Sequence, residues 1–165
     1  MDNSLFADED YELWVLLHQA ETAMFRARDK ELRKYDLSAM WAAVLYIVQV
    51  IEYVDLQATP TEISRWLFRR PHGVSTLLRR MEKEELVKLV KDLGQKNLIR
   101  VAITEKGYQA YRDSIKRDSI HRIMSSLSEE EHRQLKSWLL KLRDTACEDL
   151  RIDLKPLYPL TPKTN

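Results

Sequence analysis

The sequence predicts a mainly α-helical fold carrying one small β-hairpin. Three observations lead there. Only three glycines and five prolines punctuate 165 residues, which leaves room for long helices. Apolar residues recur at helical spacing over most of the chain. Between residues 86 and 103 that period gives way to two short apolar runs separated by a polar tip. With 44% hydrophobic and 32% charged residues, the chain is globular rather than disordered.

The first helix spans residues 9–34, where Leu13, Leu16, Leu17, Ala20, Ala23, Met24 and Ala27 form one stripe. Tyr35-Asp36-Leu37 breaks the pattern, and Ser38 caps a second helix over residues 39–54. That helix is apolar nearly all round, so it belongs at the centre of the fold, with Tyr46, Gln49 and Glu52 as its edge. Its apolar run is too short to span a bilayer, which takes ~20 residues. Thr59 caps the third helix, Pro60 suits its first turn and Glu62 completes a capping box. Ile63, Trp66 and Leu67 face inward. Residues 69–73, with their proline and glycine, read as the following turn.

The fourth helix, residues 73–85, buries Val74, Leu77, Leu78 and Met81 and turns Ser75, Thr76, Arg79 and Arg80 the other way. Residues 86–91 and 98–103 read as strands, with Ile99, Val101 and Ile103 inward and residues 92–97 as the tip. Thr104 restarts a helix that runs to about Ser125. Ser128 and Glu131 form a capping box for a sixth helix, striped by Leu135, Trp138, Leu139, Leu142 and Ala146. The proline-rich tail after residue 151 cannot be helical; it is disordered or an extended arm.

Net charge is only +1, but its distribution is uneven. Between Thr61 and Arg80 five arginines face one acid, Glu62, so the positive field is local. Helix, turn, helix and hairpin in this order spell a winged helix-turn-helix, whose second helix commonly enters the major groove of DNA. On an isolated helix, Arg79 and Arg80 would read as a solvated face. Placed second in a helix-turn-helix, they read as DNA contacts, because an arginine grips guanine with two hydrogen bonds worth ~1–3 kcal/mol of discrimination. His72, Ser75 and Thr76 stand at the front of the same helix, where contact with phosphate or base edges competes with capping or simple exposure. Arg65, Arg69 and Arg70 suit phosphate clamping.

The sequence carries no nucleophile elbow, no glycine-rich phosphate loop and no zinc spacing among its four histidines, so no enzyme, cofactor or metal is expected. The lone Cys147 excludes an internal disulfide, fits a reducing cytoplasm, and reads as a small apolar residue at a dimer interface. The N-terminus lacks a signal-peptide pattern, and no membrane association is expected.

The specific motifs are Leu77-Leu78-Arg79-Arg80-Met81-Glu82-Lys83, then Leu86-Val87, then a wing that starts at Asp92 and closes in Ile103-Thr104-Glu105-Lys106-Gly107. By these the chain resembles the multiple-antibiotic-resistance regulator (MarR) family of bacterial transcription factors, from the first helix to the sixth. There are departures. The tip lacks the family's usual arginines, and Lys96 is its only cation. Glu85 stands where a glycine is common, and His72, Gly73 and Thr76 stand where polar or basic residues are common.

The resemblance implies a homodimeric, sequence-specific regulator of double-stranded DNA, a repressor by default, with a pseudo-palindromic operator. Residues 1–55 would serve dimerisation and core, 56–107 DNA binding, 108–150 dimerisation, and 151–165 would be an extended tail. DNA contact would fall to Arg65, Arg69, Arg70, His72, Gly73, Ser75, Thr76, Arg79, Arg80 and Lys96. A small aromatic or phenolic ligand would sit in a cleft walled by Trp14, His18, Met40, Trp41 and Val44, residues that equally suit ordinary core. Tyr46 would line that cleft or face the partner. The competing expectation is a winged-helix protein-interaction module without specific DNA binding, kept open by the reduced wing and small net charge.

Overall fold

A computed structural model of the chain describes residues 8–54, 56–91 and 98–152. In chain order these form α1 (Glu9–Leu32), a short 3-10 helix (Arg33–Tyr35), α2 (Ala39–Tyr53), α3 (Pro60–Trp66) and α4 (Pro71–Lys83). Then come β1 (Val87–Lys91), β2 (Ile99–Ile103), α5 (Glu105–Ser114), α6 (Asp118–Met124) and α7 (Glu129–Leu150). The strands form one antiparallel pair in the register Val87 to Ile103, Leu89 to Val101 and Lys91 to Ile99. The predicted class, mainly helical with a β-hairpin wing, is the observed one.

Local chemistry sets most helix starts. Ser38 accepts from Trp41 N at 3.1 Å, Thr59 from Glu62 N at 3.1 Å, and Thr104 from Gly107 N at 3.0 Å. Ser128 and Glu131 close a reciprocal capping box. Each cap satisfies a donor that the helix itself cannot, worth ~1 kcal/mol. Between α1 and α2 the helix axes bend by 84°. Asp36 takes the left-handed conformation at φ 53° in that bend, and Asp29 accepts from Ala39 N at 2.6 Å across it. No single helix among the described residues is long and apolar enough to cross a membrane.

The core gathers on α2, as its all-round apolarity requires. Val44, Leu45, Val48 and Ile51 are wholly buried, packed with Leu32, Ile63, Val74, Leu78, Met81 and Val87. The hairpin is anchored from both sides. Val101 N donates to Ala58 O at 2.7 Å, and Thr104 N to Leu86 O at 3.2 Å. Gly107 lies against the same Leu86 carbonyl: a Cβ there would come within 2.0 Å of that oxygen and 2.7 Å of Ile103 Cγ2. The Thr-Glu-Lys-Gly closing motif therefore has a steric basis, a capped helix start on a glycine that lets the strand entry touch it.

The structure corrects three expectations. The predicted fifth helix is two, α5 and α6, broken where Arg117 turns left-handed at φ 55°. The break is held from α1. Arg28 Nη2 donates to Ser114 O, ending α5, while Glu31 accepts from Asp118 N at 2.9 Å, Ser119 N at 3.1 Å and the Ser119 hydroxyl, starting α6. Second, α4 begins at Pro71 rather than Gly73. Proline suits a first helical turn, where its missing N–H costs nothing, and the turn's left-handed residue is Phe68, at φ 52°. Third, Ile99 is exposed, because its pair with Lys91 lies at the far end of the hairpin; Val101 is buried and Ile103 half-buried.

The long apolar stripes are not covered within one chain. On α1 only Arg28 and Leu32 are buried, and on α7 only Cys147. Trp14 is 60% exposed and Trp138 59%. The wing tip, with Lys96, and the proline-rich tail lie outside the described residues.

Candidate nucleic-acid interface

The basic face is built on α4. Burying Val74, Leu78 and Met81 against the core leaves His72, Gly73, Thr76, Arg79 and Arg80 exposed and Ser75 half-buried. No ion pair or hydrogen bond among the described residues engages the Arg79 or Arg80 side chain. The hydroxyls behave differently. Ser75 Oγ donates to Pro71 O at 3.0 Å and Thr76 Oγ1 to His72 O at 3.2 Å, so both protons are engaged within the helix.

Arg70 is the residue before α4, and its side chain makes no capping bond. Among the described residues, no side chain accepts from the first-turn N–H groups of α4, at the positive end of its dipole. Arg69 and Arg70 are exposed beside them. From Arg70 to Arg79 the helix rises roughly 14 Å, comparable with the ~12 Å width of a major groove. Arg65 is held differently, 3.3 Å from Glu62, whose carboxylate also accepts from Trp66 Nε1 at 3.1 Å. That neighbour tempers Arg65 as a phosphate clamp.

A cavity of about 500 Å³ opens between α1, α2, α5 and α6. Met24, Phe25, Tyr46 and Tyr111 supply its apolar and aromatic walls. Arg28 and Arg117 supply positive charge, with Arg117 stacked 5.4 Å from the centre of the Tyr46 ring.

No family model matches the sequence, and no curated protein matches it. Solved structures do. The MepR–DNA complex of S. aureus is 23% identical with a TM-score of 0.71, over 84% of this chain and 99% of that one. A variant of E. coli MarR with operator DNA is 20% identical with a TM-score of 0.73, over 81% and 95%. At those identities the likeness is one of fold. The organohalide-sensing transcriptional regulator RdhR, in its 2,4-dichlorophenol-bound form, reaches 27% identity and a TM-score of 0.83 over 98% of this chain and 95% of that one.

The chain has the winged-helix fold of MarR-family regulators.

In this fold α3, the turn and α4 are the helix-turn-helix, and β1–β2 is the wing. Glu85, where family sequences favour glycine, holds the left-handed conformation at φ 59° that explains the preference. Of the predicted DNA-contact residues, the structure brings Arg69, Arg70, His72, Gly73, Thr76, Arg79 and Arg80 together as exposed positions on α4 and the turn before it. Ser75 is half covered, and Lys96 lies outside the described residues.

The predicted ligand residues do not meet around one cavity. Trp14 and His18 are exposed and stack on each other at 6.2 Å on the outer half of α1, roughly 20 Å along the helix from the bend. Val44 is wholly buried in the core. Trp41 faces a separate groove with Tyr35 and Glu105, and Met40 is half-buried. The sequence reading missed Phe25, Arg28, Tyr111 and Arg117 in the cavity wall. One signal was available. Ala39, Ala42 and Ala43 are small residues in a helix otherwise made of bulky ones, and all three line the space.

Proposed function

We propose that this protein is a homodimeric, sequence-specific DNA-binding repressor whose α4 enters the major groove. The carrying observation is the exposed face of α4, with Arg79 and Arg80 unengaged among the described residues and Arg69 and Arg70 at its start. A surface that positive, on the second helix of a helix-turn-helix, suits base edges and phosphates. The uncovered stripes of α1 and α7 support the dimer. Tyr11, Leu13, Trp14 and Leu16 on one and Trp138, Leu139 and Leu142 on the other are large apolar side chains left exposed in the single chain, surface that a second copy would cover. Sedimentation at micromolar concentration should give a dimer, and a monomer would sink that part of the reading.

The cavity between α1, α2, α5 and α6 is the effector site of this reading. Its rings suit an aromatic body; Arg28 is already paired with Glu31, so Arg117 is the cation that suits a phenolate or carboxylate, with the Glu21 carboxylate on the same wall. The similar regulator RdhR was solved with 2,4-dichlorophenol bound. A ligand there releases DNA only insofar as it prefers the shape that does not fit the operator.

The test is to titrate the purified protein against the intergenic duplex beside its own gene at two salt concentrations, with an unrelated duplex as control. Tight binding to the first alone, weakening steeply with salt as phosphate contacts require, is the expected result. Equal weak binding to both, at this and neighbouring intergenic duplexes, would overturn the reading in favour of a protein-binding winged helix.

A further inference from the structure

The chain has three glycines. Gly107 is explained by the backbone it touches. Gly73 is not explained by the fold. It sits in the first turn of α4, a 13-residue helix. Its φ is not in the left-handed region, and a Cβ added there would meet nothing within 4 Å. A helix gains from alanine at such a position, because glycine leaves more backbone entropy to be lost on folding. Nothing within the described residues therefore asks for glycine, yet the residue stands on the exposed face that carries Thr76, Arg79 and Arg80.

We propose that Gly73 is a positioning residue for DNA: its missing side chain lets the duplex approach the first turn of α4 at backbone distance. The surroundings fit that role. Arg69 and Arg70, both exposed, hold positive charge beside that turn. A glycine with open space on its outer side is the arrangement in which an external backbone can come closest. The inference rests on the DNA-binding reading above and deepens it. It departs from the sequence expectation, in which Gly73 was a contact position of no stated role.

Its test separates the two. Full-length wild type and Gly73→Ala are compared by thermal unfolding and by anisotropy titration of the intergenic duplex beside the gene. The fold-based argument predicts a Tm raised by about 2–4 °C, the shift that a helix-propensity gain gives a domain of this size. The proposal predicts operator affinity weakened by about ten-fold or more, the loss of one good contact. A structural role alone would move the two readouts together. Gly73→Ala binding within two-fold of wild type overturns the proposal and leaves DNA binding intact. A lowered Tm also overturns it, because the fold itself would then need the glycine. Wild type that fails to distinguish the operator from an unrelated duplex removes the DNA reading and the proposal with it.

Discussion

Replacing Glu31 with glutamine tests how α1 holds the break between α5 and α6. Glu31 and Arg28 pair at 2.8 Å with both side chains only 11% exposed. The same carboxylate takes both first N–H groups of α6 and the Ser119 hydroxyl, and Arg28 reaches across to the last carbonyl of α5. Burial pushes the Glu31 carboxyl up, but the Ser119 hydroxyl, Arg28 and the Ser119 N–H together outweigh it and hold the group down, from 4.5 to about 2. At ~1.36 kcal/mol per pH unit, that difference corresponds to about 3 kcal/mol of stability from the ionised form. The figure agrees with the 3–5 kcal/mol or so that follows from breaking a buried pair.

The sign follows from the lowered value. The contribution is complete above the unfolded-chain value, near pH 4.5, and is lost as pH falls through about 2. Urea unfolding of wild type and Glu31→Gln, followed by circular dichroism at one protein concentration, should show a gap of about 3 kcal/mol at pH 7. The gap should shrink steadily below pH 4.5 and be nearly closed at pH 2. A gap that stays constant from pH 7 to pH 2.5 would refute the reasoning, since the loss would then be one of packing rather than charge. No gap at pH 7 would refute it outright.

Three further outcomes are expected. Arg79→Ala with Arg80→Ala should abolish specific binding, by about 2–6 kcal/mol if each arginine makes one good base contact, with Tm unchanged; anisotropy and a thermal melt check both. Glu85→Gly should stabilise the fold by about 0.5–1 kcal/mol, because glycine accepts φ 59° without the ~1–2 kcal/mol penalty of a side chain and gives back only part of that in chain entropy. Chemical unfolding measures it, and a destabilised variant would contradict the backbone argument. Gly107→Ala should cost about 3 kcal/mol or more, at the upper end for overpacking, since the atom in the way is the Leu86 carbonyl rather than a flexible side chain. A variant as stable as wild type in the same assay would mean that α5 does not lie where described.

What the sequence alone determined is whatever a few neighbouring residues decide. Ser38, Thr59, Thr104 and Ser128 each cap a donor three residues on, so those helix starts were legible. The amphipathic period of α4 likewise separated Val74, Leu78 and Met81 from Arg79 and Arg80 before any packing was known. Tertiary structure decided what distant residues share. The α5–α6 break depends on Arg28 and Glu31, 86 to 88 positions away, and no local pattern around Arg117 announces it. The cavity takes walls from four helices, so Trp14 and His18, plausible by type, fall on a face that α2 never reaches. Capping and helical period act within one turn of chain. A cavity or a helix break held from afar exists only once separate segments have packed, and its position is set by how they pack.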